Sequence, residues 1–130
     1  MGALGPAGES LAASFLARRG LRLLGRNVRT PFGELDLVLV EGDDAGGGDG
    51  GALVVCEVKT RRGLGFGAPA ESVTAAKRAR LARAAVHFAR ERGLASRPIR
   101  FDVVSVLARA GRPPAVEHVE GAFSVDDIGL

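Results

Sequence analysis

The feature of this sequence that most constrains its fold is a pair of short apolar runs, Leu35 to Val40 and Leu53 to Val58, separated by a stretch of Gly, Asp and Ala. Both runs are rich in Val and Leu and bounded by turn formers. That pattern predicts two buried strands joined by a mobile hairpin loop over 42–51. Three charged residues, Asp36, Glu57 and Lys59, sit within or just beyond these runs. A buried charge is costly unless a partner or a metal compensates it. Strand side chains alternate faces, so Glu34 shares a face with Asp36, and Glu57 with Lys59, at roughly 6.6 Å along the strand. Two carboxylates and an ammonium can therefore converge on one patch of a two-stranded ribbon. Spacing alone fits two readings equally. One is a buried ion-pair cluster without chemistry; the other is a site for a hard cation, which takes carboxylate oxygens together with water and substrate phosphate.

The rest of the chain supplies what would surround such a ribbon. Pro6 to Arg19 reads as a first helix, with Leu11, Ala12, Phe15 and Leu16 as its apolar stripe and Gly20 as its stop. Glu9 flanks that stripe, either as an acid favoured in the first turn of a helix or as a group reaching over the sheet. Leu21 to Arg29 predicts the first strand, and Thr30-Pro31-Phe32-Gly33 a turn. Beyond Lys59, Arg61 and Arg62 precede the loop from Gly63 to Pro69, where they are available to phosphates or form a solvated basic turn. The spacing Gly63-x-Gly65-x-x-Ala68 is no dinucleotide fingerprint, because the glycines do not open a helix directly and no acid follows at the required distance.

Ser72 or Thr74 caps a second helix running to about Arg92, with Val73, Leu81, Ala84 and Phe88 on its buried face. Lys77 falls on that apolar stripe and in the first turn, where the helix dipole disfavours a cation. Breaking both rules points to an anionic partner, a site carboxylate or a substrate phosphate, in preference to a lysine that snorkels past the sheet edge. Ile99 to Leu107 predicts a further strand containing Asp102, a buried acid whose role the sequence leaves open, with structure, such as tethering Arg or Lys, ranked above catalysis. Ala115 to Glu120 predicts an edge strand and 121–130 a frayed tail. The order α-β-β-β-α-β-β predicts an α/β fold, a central mixed sheet flanked by helices, in one domain over 1–120.

Composition narrows the function classes. A single cysteine, Cys56, excludes a disulfide framework and a multi-cysteine zinc site. His87 and His118 lack the partners that nucleophilic catalysis or zinc binding needs. No apolar run approaches membrane-spanning length, so a soluble cytoplasmic protein is expected. The formal charge of +3 permits an acidic partner. Only two of the 18 basic side chains are lysine, Lys59 and Lys77. In a chain so biased to arginine, lysine marks places where a compact point charge differs from a planar fork.

Asp36 followed by Glu57-x-Lys59 resembles the core of the PD-(D/E)xK nucleases. Further residues carry the likeness: Gly8-Glu9, Arg26-Asn27, Gly33-Glu34-x-Asp36, Glu57-Val58-Lys59-Thr60-Arg61, Phe66-Gly67, Lys77 and Phe101-Asp102. Together, over about 8–119, they resemble the YraN-like family, related to archaeal Holliday-junction resolvases. The resemblance implies a restriction-endonuclease-like fold and a metal-dependent endonuclease acting on DNA in repair or recombination. Asp36 and Glu57 would bind Mg²⁺ or Mn²⁺, Lys59 would orient water, and Glu9 and Lys77 would complete the catalytic set. Lys77, Arg61 and Arg62 would hold the nucleic acid, and a homodimer is expected by analogy with the resolvases. The alternative is a binding module for nucleic acid or a protein partner that keeps the fold without cleaving. With no Tyr or Trp in the chain, Phe and Arg are the base-stacking groups, and contact is expected to be mainly to the backbone.

Overall fold

The computed structural model describes residues 4–42, 51–62 and 73–123. Along them lie α1 (Leu4–Arg18), β1 (Leu21–Thr30), β2 (Gly33–Glu41), β3 (Leu53–Arg62), α2 (Ala75–Glu91), β4 (Ile99–Arg109) and β5 (Arg112–Phe123). The strands form a single mixed sheet in the order β1-β2-β3-β4-β5. β1, β2 and β3 make an antiparallel meander, β3 and β4 run parallel, and β5 returns antiparallel along β4. Parallel neighbours need a crossover, and α2 lies on it. This is the expected α/β architecture, consistent with a restriction-endonuclease-like core.

Period-two alternation splits the core into two layers. Leu53 and Val55 of β3 and Phe101 and Val103 of β4 pack against Leu81, Ala85 and Phe88 of α2. Val54 and Cys56 of β3 and Val104 and Val106 of β4 pack on the other side, with Ala12 and Leu16 of α1. β2, β3 and β4 are thus covered on both faces, which explains their near-continuous Val/Leu sequence. Burying each of these larger side chains contributes about 1.5–3 kcal/mol, so a charge in the same strands must be well compensated. Cys56, buried on the face opposite Glu57, is a small core residue as expected.

Helix boundaries follow their punctuation. Gly20 and Gly93, at φ 86° and 71°, take the left-handed conformation that ends α1 and α2. Thr74 caps α2, its side chain accepting the Lys77 N–H at 3.2 Å; Ser72, the other expected cap, lies outside the described residues. So do most of the expected hairpin loop (43–50) and the loop 63–69. Two expectations need correction. Leu11 is exposed, because the buried stripe of α1 runs through Gly8, Ala12 and Leu16. β5 is twice the expected length and takes in 121–123 of the supposed tail, because Phe123 is buried and stacks on Phe101 with ring centres 4.7 Å apart. Its Pro113 and Pro114 are tolerated because an edge strand need not donate every N–H.

Candidate active site

The two predicted strands pair from Val40↔Leu53 to Leu37↔Cys56 and no further. One more step would set Asp36 directly opposite Glu57, and like charges in that position are destabilising. β3 instead stays paired with β4 as far as Arg62↔Ala108, while β2 stays paired with β1 to Gly33↔Thr30. The sheet therefore forks at the two carboxylates. Asp36 Oδ2 accepts the backbone N–H of Val58 at 2.9 Å, supplying the acceptor that the interrupted ladder lacks. Leu35 and Val38, three residues apart, both pack in the α2-side layer, so Asp36 lies where the alternation of β2 breaks.

The fork is an electrostatic trap. Burial and then the neighbouring Glu57 carboxylate raise the Asp36 pKa to about 6; the Val58 N–H and Lys77 oppose this, and Glu9 adds to it. Glu57 is 3% exposed and its Oε1 meets Lys77 Nζ at 2.8 Å. Burial works against the Lys77 charge, but Glu57 outweighs it and holds the lysine above its usual range. Lys59, on the same face of β3 as Glu57, is held below the usual lysine range by burial first and then by Lys77 beside it. Of the two ammonium groups, Lys77 is the counter-ion of Glu57, and Lys59 gives up its proton more readily.

Glu9 reaches the site from the opposite side. Gly8 is buried where α1 meets Thr60 of β3, and a Cβ there would collide with the Thr60 methyl. This close approach sets the next residue over the fork. Glu9 Oε1 accepts from Asn27 Nδ2 at 3.1 Å and from Arg26 Nη2 at 3.5 Å. Asn27 has φ 48°, the one positive value among described non-glycine residues. Asn tolerates that conformation better than most residues, and its presence inside a strand was the available signal. Arg26 and Asn27 are the partners of Glu9 that strand periodicity alone does not reveal.

The structure thus brings together Asp36, Glu57, Lys59 and Lys77, with Glu9 at the margin. Arg61 and Arg62 belong to the end of β3 rather than to a loop. Alternation puts Arg61 on the Lys59 face and Arg62, which is exposed, on the other. Asp102 lies elsewhere, on the α1 side of the sheet. Its oxygens accept from Arg100 Nε and Nη2, each at 2.9 Å, and from the Gly121 N–H at 3.0 Å, and Oδ2 lies 2.7 Å from His118 Nε2. Burial would raise its pKa, but these partners hold it below the usual carboxylate range. With its oxygens occupied, it acts as a structural tether, the reading ranked above catalysis.

Among the described residues, no three or more His, Cys, Asp or Glu side chains gather as a ready metal cage. Asp36 and Glu57 are the pair that could hold a cation. Two carboxylates suit Mg²⁺ or Mn²⁺, which keep several waters, and a shared cation would relieve the repulsion recorded in the raised Asp36 pKa. Among the described residues no helix is long and apolar enough to cross a membrane.

Similarity to known proteins extends over nearly the whole chain. The sequence model of the uncharacterised protein family UPF0102 matches residues 8–106. A UPF0102 protein of Rhodococcus jostii is 46% identical over 121 residues, covering 93% of this chain and 96% of its own. One from Renibacterium salmoninarum is 48% identical over 118 residues, covering 91% and 93%. One from Moorella thermoacetica is 46% identical over 120 residues, covering 92% and 93%.

Proposed function

The chain belongs to the uncharacterised protein family UPF0102, and from that premise we propose that it is a metal-dependent endonuclease hydrolysing DNA phosphodiesters, with branched or single-stranded DNA of repair and recombination as the substrate class. The observation that carries this reading is the fork itself. Two carboxylates that repel one another are held together in the core, with two lysines against them. A purely structural cluster would pair its charges; this one leaves Asp36 with a backbone N–H and a neighbouring acid.

Asp36 and Glu57 would hold Mg²⁺ or Mn²⁺, which when bound lowers the pKa of a coordinated water and offsets charge on the phosphoryl oxygens. Lys59, beside them and with a weakened hold on its proton, orients the attacking water and neutralises the incoming phosphate. Lys77 fixes the Glu57 carboxylate through their 2.8 Å ion pair and adds positive charge where the strand must pass. Glu9 anchors Asn27 and Arg26 and strengthens the negative field at Asp36. Arg61 and Arg62 extend the basic track for the backbone. A two-fold junction would call for a homodimer.

The test is incubation with labelled single-stranded, duplex, flap and four-way-junction DNAs, with Mg²⁺, with Mn²⁺ and with chelator. Metal-dependent cleavage of at least one, lost in Asp36→Asn and Glu57→Gln while binding persists, is the expected result. The Glu57–Lys77 ion pair favours one other reading, a binding module whose site neutralises itself. Tight DNA binding with no cleavage under any metal would put that reading first.

A further inference from the structure

We propose that the cleft beside Lys77 seats one unpaired nucleobase of the substrate strand, with Phe32 as its stacking face. The cleft has a volume of about 220 Å³ and is lined by Phe32, Glu34, Lys77, Arg80, Leu81 and Ala84. It is smaller than the ~300–1,000 Å³ typical of sites for drug-sized ligands, so it suits a single flat ring system rather than a whole nucleotide. Leu81 and Ala84 give it an apolar floor on α2. Phe32, 44% exposed, is the exposed large aromatic among the described residues.

The turn that carries this ring is tied down. The Phe32 backbone N–H donates to Thr30 Oγ1 at 3.1 Å, and Thr30 Oγ1 donates to the Gly33 carbonyl at 2.7 Å. The ring centre lies 6.1 Å from the His87 ring, edge to face. An aromatic at the wall of an apolar slot is a stacking platform, and any base has a π-face to offer it.

Charge selects what accompanies the ring. Lys77 and Arg80 border the cleft, suiting a ring that carries an anionic sugar-phosphate. The one acid there, Glu34, lies 3.7 Å from Arg29 and so does not face the phosphate alone. Lys77 also touches Glu57, so the phosphate of a base seated in the cleft arrives at the carboxylates. Bases within a duplex have both faces covered by their neighbours. The cleft therefore takes a nucleotide that is already unpaired, as at a flap, a junction or a single-stranded stretch, and specifies the substrate structure of the proposed nuclease, on which reading the inference rests.

Phe32→Trp provides the test, because the chain has no tryptophan of its own and the substituted residue becomes the sole indole reporter. Titrations are done in chelator, so binding is read whether or not the protein cleaves. Quenching by a single-stranded oligodeoxynucleotide and by a flap, but not by a blunt duplex or inorganic polyphosphate, is expected. Phe32→Ala and Phe32→Leu should each weaken single-strand affinity about 5- to 150-fold, with blunt-duplex affinity unchanged. Quenching by polyphosphate alone, or unchanged single-strand affinity in both substitutions, would overturn the proposal. A dimer that Phe32→Ala dissociates in sedimentation, with no effect on oligonucleotide binding, would do the same. Quenching without any metal-dependent cleavage would leave the cleft standing and the nuclease reading fallen.

Discussion

At the scale of single residues, Asp36 makes a claim about pH. Its pKa of about 6 in the fold exceeds the ordinary 3.8, so the folded protein binds this proton more tightly than the unfolded chain does. The stabilisation that follows is complete below pH 3.8, fades as pH rises through 6 and is absent at neutrality. Asp36→Asn removes the titration but keeps an acceptor for the Val58 N–H. The stability difference between wild type and Asp36→Asn should therefore change by about 2 kcal/mol between pH 4.5 and 7 in chelator, an upper figure since the group is partly solvated. Denaturant midpoints at both pH values check this, and a constant difference would contradict it. Mn²⁺ should stabilise the wild type at pH 7.5 and progressively less below pH 6, because the ligand must be ionised. Lys59 makes a different claim, about shape. Lys59→Arg keeps the charge but puts a broad planar fork where a point charge has to fit beside Lys77 and the carboxylates. Most cleavage activity should be lost with DNA affinity little altered, and full activity in Lys59→Arg would remove its proposed role.

At the scale of elements, the chain announces its strands more clearly than its joints. The order of helices and strands, the meander and the α2 crossover all follow from apolar runs and turn formers, because burial on two faces leaves no room for other residues. The ion pair of Lys77 was partly legible, since a lysine on an apolar stripe in the first turn of a helix either finds an anion or snorkels to water. The fork was not: it depends on where a ladder stops, and nothing in Leu35-Asp36-Leu37-Val38 marks that the alternation breaks there. Nor was the seating of α1, which depends on a contact between residues far apart in sequence. Gly8 would ordinarily be a weak helix residue, and replacing it by Ala should favour the helix by about 1 kcal/mol. Against Thr60 the same change inserts a methyl where there is no room, and overpacking costs about 1–3 kcal/mol. A β-branched side chain on a strand cannot easily swing aside. Gly8→Ala should thus destabilise the protein, and Gly8→Ala with Thr60→Ser should recover the loss. Thermal midpoints of both variants decide it; a Gly8→Ala protein more stable than wild type would mean that α1 does not sit on β3 in this way.

At the scale of the whole molecule, the sheet divides its charged residues between two faces with opposite logic. On the α2 side, Glu57 is paired with Lys77, but Asp36 is held against Glu57 and Lys59 against Lys77, an imbalance that the proposed cation or phosphate would relieve. On the α1 side, Asp102 is satisfied by Arg100, His118 and the Gly121 N–H, while Arg100 also reaches Glu41 at 2.7 Å and His118 lies 3.3 Å from Arg19. That network ties β2, β4, β5 and the segment just after α1 into one body, and both oxygens of the acid at its centre are engaged within it. The two acids also report in separate pH windows. Asp102, held below 3.8, contributes stability at all higher pH and loses it only as pH falls through that lowered value, where Asp36 is already protonated. Substitutions should separate the faces in the same way. Asp102→Asn breaks a buried charge pair and should cost about 3 kcal/mol, lowering the thermal midpoint by roughly 10 °C. That is a large share of the roughly 5–15 kcal/mol that holds a domain together, so the comparison belongs well below the midpoint. There, the Mn²⁺-induced stabilisation and the cleavage rate per folded molecule should match wild type. Glu57→Gln should show the reverse, with both metal responses gone and a smaller stability loss, because losing the Lys77 pair is offset by relief of the repulsion with Asp36. If Asp102→Asn loses its metal response while still folded, the α1 face is coupled to the fork, and the division of labour between the two faces fails.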